Sequence, residues 1–195
     1  MSMNLQVEEK IDPRVKRTRA LIQRAFIDLL EEQGFQSITV QDITQRAEVN
    51  RATFYAHFPD KFALLEDTIQ HIFRQELEKR TLNACHYSQG NLHALIVTVC
   101  EFISQSNRHC KSSDSQFEML VEKQVRKQIY GLLEMWLVQR NTQGDLKTAA
   151  TAASWTIYGL AEQWSRDRGT QALTAEQFAK QVLPLVAGNL QLEAV

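Results

Sequence analysis

Apolar side chains recur every three or four positions through most of this chain, a spacing typical of amphipathic helices. The clearest stripe lies between Arg14 and Gln33 and consists of Leu21, Ile22, Ala25, Phe26, Leu29 and Leu30. Pro13 suits the first turn of this helix, and Gly34 suits its C-cap. Because predicted helices outnumber strand-like runs along the chain, the pattern predicts an all-α fold.

Two short helices and the start of a third are predicted between residues 37 and 65. Thr39 and Asp42 have the spacing of a capping box, which would begin the first helix. Asn50 is a good cap for the second, predicted from Arg51 to His57. Helices this short, joined by turns this tight, form a compact right-angled unit.

The second short helix has one apolar and one polar face. Phe54 and Phe58 are four residues apart and would anchor it from beneath. The opposite face carries Arg51, Ala52, Thr53, Tyr55 and His57. Arginine offers a fork of donors to a guanine edge, and hydroxyl groups reach phosphate oxygens. The arrangement is that of a helix-turn-helix, whose second helix enters the major groove by its N-terminal end.

Five longer helices are predicted from apolar spacing: Lys61 to about Asn83, Leu92 to Ile103, Gln116 to Gln139, Leu146 to Arg166 and Ala175 to Leu192. The polar segment from Ser104 to Ser115 has no clear apolar periodicity and is the best candidate for a flexible loop, with a short helix as the alternative. Thr174 and Gln177 repeat the capping-box spacing at the start of the last helix. Pro184 is expected to kink that helix.

The last two predicted helices mix small residues with large apolar ones. The small residues are Ala149, Ala150, Ala152, Ala153, Ser154, Gly159 and Ala161, interleaved with Trp155, Ile157, Tyr158, Leu160 and Trp164. Small residues let helices approach closely, and the apolar girth exceeds what one packing face needs. We therefore expect these two helices to form a four-helix bundle with a second copy of the chain. A plain core hairpin is the alternative.

Charge is balanced over the chain but not along it. The 195 residues carry a net charge of −1, and 44% of them are hydrophobic. Six basic residues nevertheless lie between Lys10 and Arg24, with Asp12 as the single acidic residue there. These cations oppose the macrodipole of the first helix, so a phosphate backbone alongside is one explanation and a solvated face is the other. The polar N-terminus has no signal region, so a cytoplasmic protein is expected.

The three cysteines do not indicate a metal site. Cys85 precedes His86, and His109 precedes Cys110, but adjacent helical residues point about 100° apart and cannot easily share one ion. Buried thiols are the simpler interpretation, for Cys100 as well. No nucleophile–base pair or phosphate-binding loop is present, so we expect no catalytic residues, no metal, no cofactor and no enzyme.

The stretch from Ile38 to Lys61 resembles the N-terminal signature of TetR/AcrR-type transcriptional regulators. The residues that carry the resemblance are Ile38-Thr39-Val40, Asp42-Ile43, Ala47, Val49-Asn50-Arg51, Thr53-Phe54-Tyr55-Ala56-His57-Phe58 and Asp60-Lys61. One departure is Glu48, where many members have glycine. If this turn needs a left-handed backbone, glutamate costs on the order of 1 kcal/mol.

The resemblance implies a homodimeric repressor of double-stranded operator DNA, with a DNA-binding domain at 12–70 and a ligand-sensing and dimerisation domain at 71–195. DNA contacts are expected from Thr39, Arg51, Ala52, Thr53, Tyr55, His57 and Lys61. For Tyr55 and His57, packing or local capping is the alternative.

The resemblance also implies a small-molecule effector bound by the C-terminal body. Its aromatic and polar residues are the candidates to line such a site: His93, Phe102, Phe117, Tyr130, Trp136, Trp155 and Tyr158. Ordinary core packing is the alternative for each of them. The body could also bind a protein partner and no small ligand. No membrane association is expected.

Overall fold

The computed structural model describes residues 12–80, 86–109, 115–142, 144–167 and 173–190. These residues form eight α-helices and no strand: α1 (Pro13–Gln33), α2 (Val40–Arg46), α3 (Arg51–His57), α4 (Lys61–Arg80), α5 (Gln89–His109), α6 (Ser115–Gln139), α7 (Leu146–Arg166) and α8 (Ala175–Asn189). The all-α prediction is confirmed. The chain divides into two compact units, Met1–Leu64 and Leu65–Val195.

In the first unit, α1 has the predicted ends. The Asp12 side chain accepts a hydrogen bond from the backbone N–H of Arg14, and Gly34 closes the helix with φ 76°. Ile22 and Phe26 are fully buried, whereas Leu21 is 48% exposed. Leu21 was therefore wrongly assigned to the buried stripe. It lies about 100° around the helix from Ile22, at the edge of the packed face.

In the second unit, α7 packs against α5, α6 and α8, and α5 also packs against α8. Buried side chains occur on several sides of α5, among them Leu92, Leu95, Ile96 and Val99. α7 has the predicted bounds, with Asp145 as its N-cap, and Thr174 and Gln177 form the predicted capping box of α8. The residues that α7 buries are mostly small, including Ala150, Ala153 and Ala161, which lets neighbouring helices approach it closely.

The structure corrects the predicted end of α5. This helix continues to His109, so residues 104–109 are not the predicted loop. Ser104 is buried because it lies four residues after Cys100 on the same packed face. The remainder of the predicted loop at 110–114, with Cys110, lies outside the described residues, as do Cys85 and the predicted end of α8 beyond residue 190.

Two absences hold for the described part of the chain. None of its helices combines the length and apolar character needed to cross a bilayer. It also contains no group of three or more His, Cys, Asp or Glu side chains that could hold a metal ion.

Candidate nucleic-acid interface

The N-terminus of α2 is held by a complete capping box. The Thr39 hydroxyl oxygen accepts a hydrogen bond from the Asp42 backbone N–H at 3.2 Å, and the Thr39 backbone N–H donates to Asp42 Oδ2 at 2.8 Å. The Thr39 hydroxyl also donates to that carboxylate at 2.6 Å. These bonds favour the ionised carboxylate, with the hydroxyl contributing most, and lower the pKa of Asp42. Thr39 itself remains exposed to solvent.

A tight turn joins α2 to α3. Glu48 adopts the left-handed backbone conformation with φ 54°, as the sequence suggested for this position. The Val49 N–H then donates to Thr44 O at 3.0 Å, and the Asn50 side chain accepts a 2.7 Å hydrogen bond from Thr53 N–H. The turn therefore ends where the Asn50 cap begins α3.

α3 is anchored by its apolar face. Phe54 and Phe58 are almost fully buried, and their ring centroids are 6.0 Å apart. The guanidinium of Arg19, on α1, lies 4.6 Å from the centre of the Phe58 ring. These contacts hold a seven-residue helix that would be too short to be stable alone.

The opposite face of α3 is open to solvent. Arg51, Ala52 and Tyr55 are exposed, with Tyr55 at 55%, whereas Thr53 and His57 are half-buried. The Tyr55 ring packs edge-on against Phe54 at 5.4 Å, so this tyrosine combines a packed ring with an accessible side. Of the predicted α3 residues, Arg51, Ala52 and Tyr55 thus form an exposed surface that begins at the N-terminus of the helix, and Thr53 and His57 are only partly accessible.

Arg51 has a partner that sequence analysis did not identify. Its Nη2 donates to the side-chain oxygen of Gln41 at 2.9 Å, which links the first residue of α3 to the first turn of α2. No local sequence signal marks this pair, because the two residues are ten positions apart.

Lys61 lies differently from the exposed α3 residues. Its ammonium group donates to three backbone carbonyls, those of Phe35 at 3.1 Å, Gln36 at 3.2 Å and Ile38 at 2.8 Å. The same group lies 4.7 Å from the centre of the Phe35 ring. The sequence had suggested a phosphate contact for Lys61. In the structure, its charge holds the connection between α1 and α2.

A second cation of the unit is also paired. Arg46 of α2 makes two hydrogen bonds to the Glu32 carboxylate of α1, at 2.9 and 2.7 Å. This pairing lowers the pKa of Glu32 and raises that of Arg46, in both cases mainly through the side-chain hydrogen bonds. Arg14, Lys16 and Arg17 of α1 are exposed.

The seven candidate ligand residues of the body lie in varied environments. Trp136 is fully buried with its ring edge-on to Tyr87, and Phe102 is buried edge-on to Phe73. His93 Nε2 is 3.4 Å from a carboxylate oxygen of Glu176. Trp136 and Phe102 therefore make aromatic packing contacts, whereas His93 makes a polar contact between α5 and α8.

The other four candidates are on α6 and α7. Phe117 is half-buried, and Tyr130 donates to Glu134 at 2.6 Å, which raises the pKa of that phenol. Trp155 is 52% exposed, with the Arg126 guanidinium 3.5 Å from its ring centre. Burial raises the pKa of Tyr158, and the positive charge of the same Arg126 acts in the opposite direction by lowering it. Arg126 therefore interacts with both Trp155 and Tyr158. Trp136 and Phe102, by contrast, belong to the packed core.

The capped α2, the left-handed turn and the exposed N-terminal face of α3 form a helix-turn-helix. Residues 22–68 match the family described as "Bacterial regulatory proteins, tetR family". The match places a domain of this family at residues 22–68.

A curated relative and two solved structures illustrate the similarity. The uncharacterized HTH-type transcriptional regulator YxbF of Bacillus subtilis (strain 168) is 42% identical over 76 residues, which are 38% of this chain but 20% of the relative. The chain thus matches about a fifth of the length of YxbF.

The two solved structures extend the fold similarity over most of the chain. The dihydroxyacetone kinase operon activator DhaS is 20% identical with a TM-score of 0.56, over 91% of this chain and 98% of that one. The regulator FadR from Bacillus subtilis in complex with stearoyl-CoA is 16% identical with a TM-score of 0.54, over 87% and 98%. At these identities, the comparison shows a shared fold.

Proposed function

We propose that this protein regulates transcription by binding a palindromic DNA operator as a homodimer, and that it is a repressor released by a small molecule. The observation that carries the proposal is the exposed N-terminal face of α3, with Arg51 at its first position, above the buried Phe54 and Phe58 anchor. This is the geometry with which a helix-turn-helix presents side chains to the major groove.

The candidate DNA-contacting residues differ in the kind of contact that they can make. Arg51 and Ala52, at the start of α3, are proposed to lie nearest the base edges, where arginine selects guanine and a methyl group meets thymine. Thr39, Thr53, Tyr55 and His57 are proposed to face phosphates or the groove walls. Lys61 is proposed to act indirectly, because its three donors hold the backbone next to Thr39.

The proposed dimer uses the outer faces of α7 and α8. Leu185 of α8 is 62% exposed and Trp155 of α7 is 52% exposed, although Met119 and Val138 of α6 are also exposed, at 69% and 60%. Gly159 lies within α7 and Gly188 in the last turn of α8, and a Cβ added at either would meet no atom within 4 Å. Glycine costs up to about 1 kcal/mol in a helix interior, so a close approach by a second chain would explain both positions. A two-fold dimer would place two copies of α3 in successive major grooves about 34 Å apart.

The proposed effector binds the body in the second unit. To release DNA, it must bind the DNA-incompetent conformation more tightly, by about 1–3 kcal/mol for ordinary coupling. FadR, one of the similar structures, is a complex with stearoyl-CoA. This similarity supports a ligand site in the body without identifying the ligand. DhaS is named an activator, so the direction of regulation has to be measured.

The function is tested by selecting bound duplexes from a random pool with the full chain. We expect a palindromic consensus, and Arg51→Ala is expected to lose sequence preference while retaining weak binding to any duplex. A reporter gene behind the selected operator then shows whether the protein lowers transcription. A compound library tested for release of the duplex identifies the effector. If wild-type protein selects no sequence, or if Arg51→Ala selects the same one, the assignment is wrong.

A further inference from the structure

The side chain of Arg51 is held in a particular direction before any DNA is present. Its Nη2 donates to Gln41 Oε1 at 2.9 Å, and both side chains are exposed to solvent. A free arginine on a helix surface samples many rotamers, and binding must then restrict them. The bond to Gln41 restricts them in advance.

The chemistry of the pair fixes which amide atom faces the arginine. A guanidinium has only donors, so it must face the Gln41 oxygen, and the amide nitrogen then points away from it. Because an amide oxygen does not neutralise the guanidinium, Arg51 keeps its full charge and its remaining N–H donors. A carboxylate partner, such as Glu32 beside Arg46, would instead compete with DNA for the cation.

The backbone at Gln41 is itself held in place. Gln41 lies in the first turn of α2, where the capping box of Thr39 and Asp42 holds the backbone, and its carbonyl oxygen accepts a 3.0 Å hydrogen bond from the Thr44 hydroxyl. α2 is in turn tied to α1 by the bidentate Arg46–Glu32 pair. The backbone of α2 that carries the Gln41 side chain is therefore held in place by these hydrogen bonds.

We propose that Gln41 is a positioning residue for Arg51, and through it a determinant of the base sequence that α3 selects. Gln41 Oε1 holds the guanidinium so that its free donors face the acceptors of a guanine, O6 and N7. The inference rests on the proposed DNA-binding function and specifies how one contact within it is set.

The test compares substitutions that separate orientation from direct base contact. Gln41→Ala removes the acceptor. Gln41→Glu keeps an acceptor for the guanidinium but removes the amide donors that a direct base contact would need. Gln45→Ala, at another exposed glutamine of α2, is the matched control. Each full-length variant is used for duplex selection from a random pool, and its Kd is measured for the wild-type operator and for a scrambled duplex.

We expect Gln41→Ala to weaken operator binding about tenfold while binding the scrambled duplex like wild type. The base positions that lose preference should be the ones that Arg51→Ala loses, and the double variant should bind no worse than Arg51→Ala alone. Gln41→Glu should lower affinity for both duplexes, by charge repulsion and because its carboxylate competes with DNA for Arg51, but should keep the wild-type preference at every base position that does not depend on Arg51. Thermal unfolding should be unchanged in all of them, because both side chains are exposed.

Several outcomes would overturn the inference. Unchanged selection by Gln41→Ala would show that Arg51 needs no positioning, while the DNA-binding function would stand. Additive losses in the double variant, or a preference altered by Gln41→Glu at base positions that Arg51→Ala leaves unchanged, would show that Gln41 contacts a base on its own account. If wild-type protein selected no consensus, the proposed function would fail, and this inference with it.

Discussion

The ammonium group of Lys61, a candidate DNA contact, is hydrogen-bonded within the protein. An ammonium group has three hydrogens, and three backbone carbonyls between residues 35 and 38 receive hydrogen bonds from it. These carbonyls belong to the connection between α1 and α2, outside both helices, and that of Phe35 also accepts a hydrogen bond from the Ile38 N–H at 3.3 Å. Removing the ammonium group leaves a half-buried set of acceptors without their cation, which is costly.

We therefore expect Lys61→Met to lower the free energy of unfolding by about 1–3 kcal/mol. Lys16→Met, at an exposed lysine of α1, is the control and should leave stability unchanged. Urea unfolding measures both effects. In DNA titrations at several salt concentrations, Lys61→Met should keep the wild-type slope of log K against log [salt], because no phosphate contact is lost. A slope lower by about one unit with normal stability would instead establish Lys61 as a phosphate ligand.

Glu48 is a second residue whose position dictates a measurable effect. Its φ of 54° lies in the left-handed region, which is unfavourable for a residue with a Cβ. Glu48→Gly is expected to stabilise the protein by about 1 kcal/mol, measured by urea unfolding. Asn141→Gly, at φ 53° in the second unit, is the control. Asparagine tolerates this conformation better, so its gain should be smaller. Equal gains at the two positions would contradict this explanation.

At the scale of elements, the helix ends that carry local signals could be read from the sequence. α3 and α7 have the predicted bounds because side chains at their starts, Asn50 and Asp145, accept hydrogen bonds from the first turn. The end of α5 could not be predicted, because all six residues from 104 to 109 are polar and show no apolar spacing, although Ser104 is buried.

In the candidate site too, some features follow from the local sequence and others depend on how the helices pack. The exposed and buried faces of α3 follow from periodicity, since the positions of Phe54 and Phe58 determine which residues face outward. The Arg51–Gln41 and Lys61 hydrogen bonds join residues that are 10 and 23 to 26 positions apart. No pattern of apolar spacing encodes such contacts, because they depend on how the helices are arranged around the core.

The capping box of α2 makes a prediction about pH. The folded pKa of Asp42 lies below its ordinary value, which is about 3.9. Ionised Asp42 therefore stabilises the fold fully above that pH, and the contribution is lost as pH falls through the lowered folded pKa. Asp42→Asn should be less stable than wild type at pH 7, and the difference should shrink as the pH falls below about 4.

Urea midpoints measured between pH 7 and pH 3 follow this difference, and other titrating groups cancel in the comparison of the two proteins. Thr39→Val removes the hydroxyl that contributes most to the shift, so an NMR titration of this variant should give Asp42 a pKa closer to its ordinary value. A stability difference that is independent of pH would show that the Asp42 charge does not support the helix end.

At the scale of the whole molecule, the two units have different tasks in the proposed function. The first unit carries the residues proposed to contact DNA, and the second carries the proposed dimer surface on α7 and α8. A palindromic operator is recognised tightly only by two copies held together, because each half-site alone offers few base contacts. Loss of the dimer should therefore weaken operator binding without altering any residue of α3.

Three helix glycines permit a matched test of the dimer. Gly159 on α7, Gly188 on α8 and Gly131 on α6 are all exposed, and a Cβ at any of them would meet no atom within 4 Å. Gly159→Leu and Gly188→Leu should leave the single chain folded but shift it from dimer to monomer in sedimentation velocity, and they should weaken operator binding at least tenfold. Gly131→Leu should remain dimeric and bind normally. If all three variants stayed dimeric, the dimer surface would lie elsewhere; if Gly131→Leu alone became monomeric, that surface would include α6.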